Sequence, residues 1–174
     1  MAAASIGMVD LLQETGAAVR GLALPAFMDN ALQQLESIKG GRMTGPLDPD
    51  KKVPHTATRD TGAVAARLLR DRSWTGQEDV PVFGPEELSY NDLAAIVSEI
   101  TGREVRYQQV PFDALKAQLR ERGMNEAFAQ AYVDMLRAKN ECMDNATPPS
   151  PPAVVGPTSF REWAEKELKP AVLR

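Results

Sequence analysis

The run Ala17 to Leu24 (AAVRGLAL) constrains the fold more than any other segment. It is mostly apolar and is stopped by Pro25. A short apolar run ended by a breaker reads as a strand buried on both faces, of the kind found in a parallel sheet between layers of helices. Such a strand needs a partner along each edge, because its backbone N–H and C=O groups must find hydrogen bonds. The other strand candidates are few, short and scattered, so the chain has little with which to enclose this one.

Helices account for most of the remainder. Met8 to Thr15 reads as a short helix closed by Gly16, since glycine tolerates the left-handed conformation past a helix end. Phe27, Ala31, Leu35 and Ile38 recur at spacings of 4, 4 and 3, which predicts a helix over Phe27 to Lys39, ended by Gly40-Gly41. Arg42 to Leu47 and Lys51 to Thr56 are short strand candidates around the turn DPDK. Asp60 to Arg72 predicts a helix with Asp60 as its N-cap and Val64, Leu68 and Leu69 as its buried stripe.

Asp79 to Phe83 reads as a strand. Ser89-x-x-Asp92 resembles a capping box, opening a helix that runs to Thr101 and is stopped by Gly102. Glu104 to Val110 alternates like a strand. Pro111 to Arg122 and Asn125 to Glu141 are two helices divided by Gly123, the second with Phe128, Tyr132, Met135 and Leu136 on one face. Residues 147–157 (TPPSPPAVVGP) hold five of the 13 prolines and read as a stiff connector rather than a packed element. Ser159-x-x-Glu162 opens a last helix, within residues 158–170, expected to end near Pro170. The expectation is a single mixed α/β domain over residues 1–174, helix-rich with few short strands.

Composition removes several classes of function. Twenty basic against 24 acidic residues leave a formal charge of −4, with no basic excess to neutralise phosphates, so neither nucleic acid nor an anionic membrane is an expected partner. Cys142 is the sole cysteine and His55 the sole histidine, which rules out a disulfide within the chain and any metal site built on several Cys or His. No apolar run reaches the roughly 18 residues of a membrane span, and MAAASIGMVD lacks the pattern of a secretory signal. A reduced, cytoplasmic setting is the expectation.

The motif search is most informative in what it misses. No G-x-G-x-x-G and no G-x-x-x-x-G-K-[ST] occurs, so no glycine turn is evident for a dinucleotide or nucleotide phosphate. A Tyr-x-x-x-Lys proton-transfer pair is absent as well: Tyr90, Tyr107 and Tyr132 are followed four residues later by Ala94, Pro111 and Leu136. Two weak catalytic candidates remain. His55 is a general base only if a partner orients it in a pocket, and otherwise a surface or strand-end histidine. Asp29, with Asn30, follows the apolar strand, at the sheet end where ligands bind in open α/β folds. The plain alternative is that Asp29 caps a helix and Asn30 is solvated. Cys142, between Glu141 and Asp144, is poorly placed to be a thiolate nucleophile. Met124, Phe128, Tyr132 and Met135 either line an apolar ligand pocket or form ordinary core.

Four segments carry a family resemblance. LALPAFMDNALQQLESIKGG (22–41) resembles the L-R-P-x-x-F-M-[DE]-N segment of NmrA-like proteins, which are atypical short-chain dehydrogenases. PHTATRDTGAVAARLL (54–69) is similar to their D-I-G-x-x-A helix, FGPEELSYNDLAAIVSEITGREVRYQQVPFD (83–113) to their G-P-E stretch, and TSFREWAEKEL (158–168) to their T-x-F-x-x-[FW] helix. The resemblance covers about residues 8–170 and matches the second, substrate-binding half of that family. It implies the distal half of a Rossmann-type fold without the Gly-rich nucleotide-binding half. The family's active-site lysine falls near Ile6 and is missing.

By the same resemblance, Phe27, Met28 and Asn30 belong to the substrate pocket, to which the reading of the residues themselves adds Met124, Phe128 and Tyr132. Pro25, Ala26 and Phe27 stand on the nicotinamide side, and bind cofactor only if a nucleotide-binding half is supplied. The expected function is small-molecule binding, extending to a cofactor-independent isomerase or cyclase, with no cofactor held by this chain alone. The alternatives are one half of a split NAD(P)-dependent oxidoreductase, or a regulatory protein of NmrA-like type. The open edge of the Ala17–Leu24 strand leads us to expect a homodimer or a partner chain covering it.

Overall fold

The local signals at residues 89–102 fold as written. In the computed structural model, which describes residues 2–141 and 152–174, α4 spans Tyr90–Thr101. The Ser89 hydroxyl accepts from the Asp92 N–H at 3.1 Å, and the Asp92 carboxylate accepts from the Ser89 N–H at 2.9 Å. Gly102 ends the helix at φ 66°. The other helices are α1 (Ala2–Glu14), α2 (Leu35–Lys39), α3 (Thr58–Arg70), α5 (Phe112–Glu121), α6 (Glu126–Asn140), α7 (Phe160–Trp163) and α8 (Lys169–Leu173).

Among the described residues the strands form three small sheets. The first has the order β1 (Val19–Ala23), β5 (Gln77–Phe83), β8 (Val154–Val155), all parallel. In the second, β4 (Val53–Thr56) lies between β2 (Ala26–Phe27), parallel to it, and β6 (Glu87–Leu88), antiparallel. The third pairs β3 (Arg42–Gly45) with β7 (Arg106–Gln109) in parallel. The mixed, helix-rich α/β class expected from the sequence is the class observed.

Several expectations need correction. β1 is not buried on both faces: four of its residues are half-buried, Ala23 is exposed, and β5 alone pairs with it among the described strands. The Phe27–Lys39 helix is broken up, because the Phe27 backbone pairs with Thr56 and the next seven residues, Met28–Gln34, wind as a 3-10 helix before α2. Asp60 is not the N-cap of α3. Ala57 occupies that position without a side-chain cap, and Asp60 lies in the first turn with its carboxylate turned to Thr158. The α3 stripe is narrower than expected, with Val64 buried but Leu69 80% exposed.

The 147–157 connector is in part a packed element. Its first residues lie outside the described ones, but Val154 and Val155 pair with Val82 and Phe83, and Gly156 is buried. The last helix does not stop at Pro170. A proline has no N–H to give and its ring crowds the carbonyl four residues back. The chain widens into a π turn over Ala164–Leu168, where the Lys169 N–H donates to the Ala164 carbonyl, and continues as α8. Ser159 caps the start of this region as expected, accepting from the Glu162 N–H.

The core lies between α2, α4 and the C-terminal helices. Ile38, Val97, Phe160, Trp163, Leu168 and Val172 are all at most 2% exposed, and the Phe160 and Trp163 rings stand 5.6 Å apart. No helix among the described residues is long and apolar enough to cross a membrane.

Candidate functional site

The parallel register of β2 and β4 sets the geometry. Ala26 pairs with His55 and Phe27 with Thr56, so residues 25–30 and 55–58 emerge together at the carboxyl ends of the two strands. Pro25 is buried, and Ala26 and Phe27 are half-buried. Met28 turns into the core, 3% exposed, where its methyl reaches Gly84. The Asp29 carboxylate accepts from the Thr58 N–H at 3.3 Å, so it caps α3 across the strand ends. Asn30 is exposed, and its side-chain oxygen accepts from Gln33 at 3.4 Å.

His55 is not at the surface. It is 3% exposed, and its ring meets Tyr90 edge-on at 6.1 Å between centroids. Tyr90 in turn stacks on Tyr107 at 4.9 Å. The Tyr107 hydroxyl donates to the Leu47 carbonyl at 3.0 Å. Burial first, and then the neighbouring Tyr90, push the Tyr107 phenol well above its ordinary range, against the pull of that hydrogen bond. The backbone is equally tight here. The Gly84 N–H donates to the His55 carbonyl at 2.8 Å, and a Cβ on Gly84 would stand 2.2 Å from that oxygen.

The second group lies on α6. Asn125 caps it, accepting from the Phe128 N–H at 2.8 Å. Phe128 and Tyr132 lie one turn apart, which superposes their side chains on one face. Their rings stack at 6.2 Å with planes 10° apart, both half-buried, and Met124 precedes them 37% exposed. The helix packs chiefly on α5. The structure therefore gathers Phe27, Asp29, Asn30 and His55 in one group and Met124, Phe128 and Tyr132 in another. Cys142 lies outside the described residues.

Two sets of site-shaping residues escape sequence reasoning. Thr158 donates to Asp60 twice, from its N–H at 3.0 Å and its hydroxyl at 2.9 Å, while Arg59 donates to the same hydroxyl at 3.1 Å. Gly156 permits this approach, since a Cβ there would stand 2.5 Å from the Asp60 carboxylate. Lys51 donates to the carbonyls of Lys139 and Asn140 at the end of α6. Both link residues 88 to 99 positions apart, where no local pattern points.

The described residues do not fit a dinucleotide's pyrophosphate. Gly16, Gly41, Gly76, Gly102 and Gly123 take positive φ, yet each stands alone, far in sequence from the next. A pyrophosphate site needs closely spaced glycines at the start of a helix.

Comparison with known proteins places this geometry. Residues 15–164 match the NmrA-like family. An NAD(P)H azoreductase from Xenophilus azovorans is 34% identical over 125 residues, 71% of this chain and 43% of that protein. An agroclavine dehydrogenase from Claviceps fusiformis is 34% identical over 89 residues, half of this chain and 30% of its own length. Among solved structures, an NADPH-dependent quinone oxidoreductase from Escherichia coli aligns with a TM-score of 0.72 at 20% identity, over 94% of this chain and 60% of that one. It shares the fold.

The chain spans about half the length of the curated relatives it matches, from 30% to 59%. These matches correct the functional expectation. The two curated relatives above are a reductase and a dehydrogenase, so the isomerase or cyclase reading finds no support and the oxidoreductase alternative fits better. Nor do NAD(P)H-dependent relatives support the expectation that this chain takes no cofactor by itself. With most of its length inside the family model, the chain belongs to the NmrA-like family.

Proposed function

We propose that this chain is the substrate-side lobe of an NAD(P)H-dependent reductase. The observation that carries the proposal is the β2–β4 register, which sets Pro25, Ala26 and Phe27 beside the His55–Thr58 segment at the carboxyl ends of parallel strands. Ligands of open α/β folds bind at that end. The relatives' dependence on NAD(P)H supports the same reading.

When bound, NAD(P)H supplies a hydride. This chain's part is to wall the reacting rings and exclude water. Phe27 offers a half-buried apolar face on one side, and the stacked Phe128–Tyr132 pair is the candidate wall on the other. Flat side chains of this kind favour a flat, conjugated hydride acceptor. Asp29 and Asn30 supply the polar rim.

The pyrophosphate is held by a glycine-rich half outside these 174 residues. The outer edge of β1 is where that half docks, beside the exposed Met8, Leu11 and Leu12 of α1. Calorimetric titration of NADPH tests the reading, with the chain alone and with a glycine-rich half added. Millimolar binding alone, and micromolar binding with menadione reduction in the mixture, is the expected result. Micromolar binding to the chain alone overturns the division of labour. Tight binding in the mixture without any menadione or azo-dye reduction overturns the reductase assignment.

A further inference from the structure

We propose that Lys51 is a positioning residue: it sets where the α5–α6 hairpin, and with it the Phe128–Tyr132 pair, stands relative to the strand ends of β2 and β4. The proposal rests on the reading of that pair as a substrate wall.

Lys51 lies in the loop between β3 and β4. Its ammonium donates to the Lys139 carbonyl at 3.2 Å and to the Asn140 carbonyl as well. These are the last two residues of α6. Carbonyls in a final turn have no partner within the helix, and a cation there also meets the negative end of the helix dipole. The same loop takes a second hold: the Asp48 N–H donates to the Asn140 side-chain oxygen at 2.8 Å.

The loop is itself fastened to the body from two sides. On the β7 side, Tyr107 donates to the Leu47 carbonyl at 3.0 Å and Gln109 to the Pro46 carbonyl at 3.2 Å. On the α4 side, Asn91 donates from its backbone to the Pro49 carbonyl at 3.0 Å and from its side chain to Asp50 at 2.7 Å. Lys51 thus projects from a rigid platform that adjoins β4.

Among the described residues, further ties of the hairpin join its own two helices. Lys116 and Arg120 pair with Glu126 at 2.5 and 3.4 Å, Arg137 pairs with Asp113 at 3.8 Å, and the Arg137 guanidinium lies 5.3 Å from the Phe112 ring centre. These fix α5 against α6. They do not fix the hairpin against the body, which the Lys51 and Asn140 contacts do.

Leverage makes the clamp matter. At 1.5 Å rise per residue, Tyr132 lies about 12 Å and Phe128 about 18 Å along the helix from Asn140. A tilt of about 10° at the clamped end would move Phe128 by about 3 Å, enough to decide which acceptor thickness fits between the walls.

The test uses spin labels on the whole chain, at Ala131→Cys on α6 and Ala95→Cys on α4, both exposed positions, with Cys142→Ser to remove the native thiol. Double electron–electron resonance then reads the distance between the two helices. Lys51→Met is expected to broaden or shift that distance, and to weaken menadione binding about three- to tenfold. Lys51→Arg, which keeps the cation and its donors, is expected to restore both. Asn140→Ala provides an independent cut of the same clamp if the Lys51→Met chain is poorly folded.

An unchanged distance in both clamp variants overturns the proposal. So does a broadened distance with unchanged menadione affinity when Phe128→Ala loses it. Menadione binding that is absent from the wild type, or insensitive to Phe128→Ala, sinks the substrate-wall reading instead, and the distance measurement still decides the clamp.

Discussion

Two apolar regions of this molecule have opposite fates. The C-terminal helices bury Phe160, Trp163, Leu168 and Val172 to 2% exposure or less against α2 and α4. By contrast, α1 leaves Met8 59%, Leu11 67% and Leu12 46% exposed, next in the chain to β1, which pairs with β5 alone among the described strands. Both segments read as helices in sequence. The first is covered by elements within the described residues and the second is not. Burial of apolar area stabilises at roughly 25 cal/mol per Å². The stability of this chain is therefore concentrated in the C-terminal core, while the α1 side adds little buried apolar area.

The largest expected effect tests the buried side of this contrast. Trp163→Ala should cost about 3–5 kcal/mol in urea unfolding, by lost burial and a cavity the surrounding helices cannot close. A cost no larger than that of Leu11→Ala would erase the contrast. Next comes the clamp that fastens the C-terminal segment to α3. Asp60→Ala should cost about 2–3 kcal/mol, because it leaves the Thr158 N–H and hydroxyl buried without their acceptor. Equal stability of Asp60→Ala and wild type would mean that β8 and α7 are held by packing alone.

A smaller effect is expected at the α4 cap, where Ser89→Ala should cost about 1 kcal/mol. The Asp92 half of the box depends on pH with a definite sign. Hydrogen bonds from the Ser89 N–H and hydroxyl region hold the Asp92 carboxyl below its ordinary value. A group whose folded pKa is depressed stabilises fully above its unfolded pKa and loses that contribution as pH falls through the folded value. The wild type and Asp92→Asn should therefore converge in thermal stability below the ordinary carboxylate range, while the gap to Ser89→Ala, which removes an uncharged hydroxyl, persists. An Asp92→Asn chain as stable as the wild type at neutral pH would show that the carboxylate adds nothing to the box. The smallest effect belongs to the exposed side: Leu11→Ser should change unfolding free energy by less than about 0.5 kcal/mol. It should nonetheless weaken association with a nucleotide-binding half in analytical ultracentrifugation. Unchanged association would move the docking surface away from α1.

What was legible in the sequence was short-range. The Ser89 box, the Gly102 stop and the Ser159 cap each depend on residues within four positions of one another, so spacing alone identified them. Phe128 and Tyr132 were found for the same reason, one helical turn apart. The failures were long-range. Asp60 looked like a cap because the pattern around it is local, while its partner Thr158 lies 98 residues on. Pro170 looked like a stop because a sequence does not show that a π turn will absorb it. His55 looked superficial until Ala26, Gly84 and Tyr90 closed around it.

The sequence by itself determined the class, the family resemblance and the helix boundaries set by caps and glycines. It also excluded a disulfide within the chain and the glycine-rich turn a pyrophosphate needs. Only the tertiary structure decided which side chains share a site. It brought the strand ends of β2 and β4 together, sent Met28 into the core and Asp29 to the head of α3, and set Lys51 under the end of α6. The physical reason is reach: propensities and caps act over one helical turn, whereas burial and buried hydrogen bonds are settled by neighbours that only folding supplies.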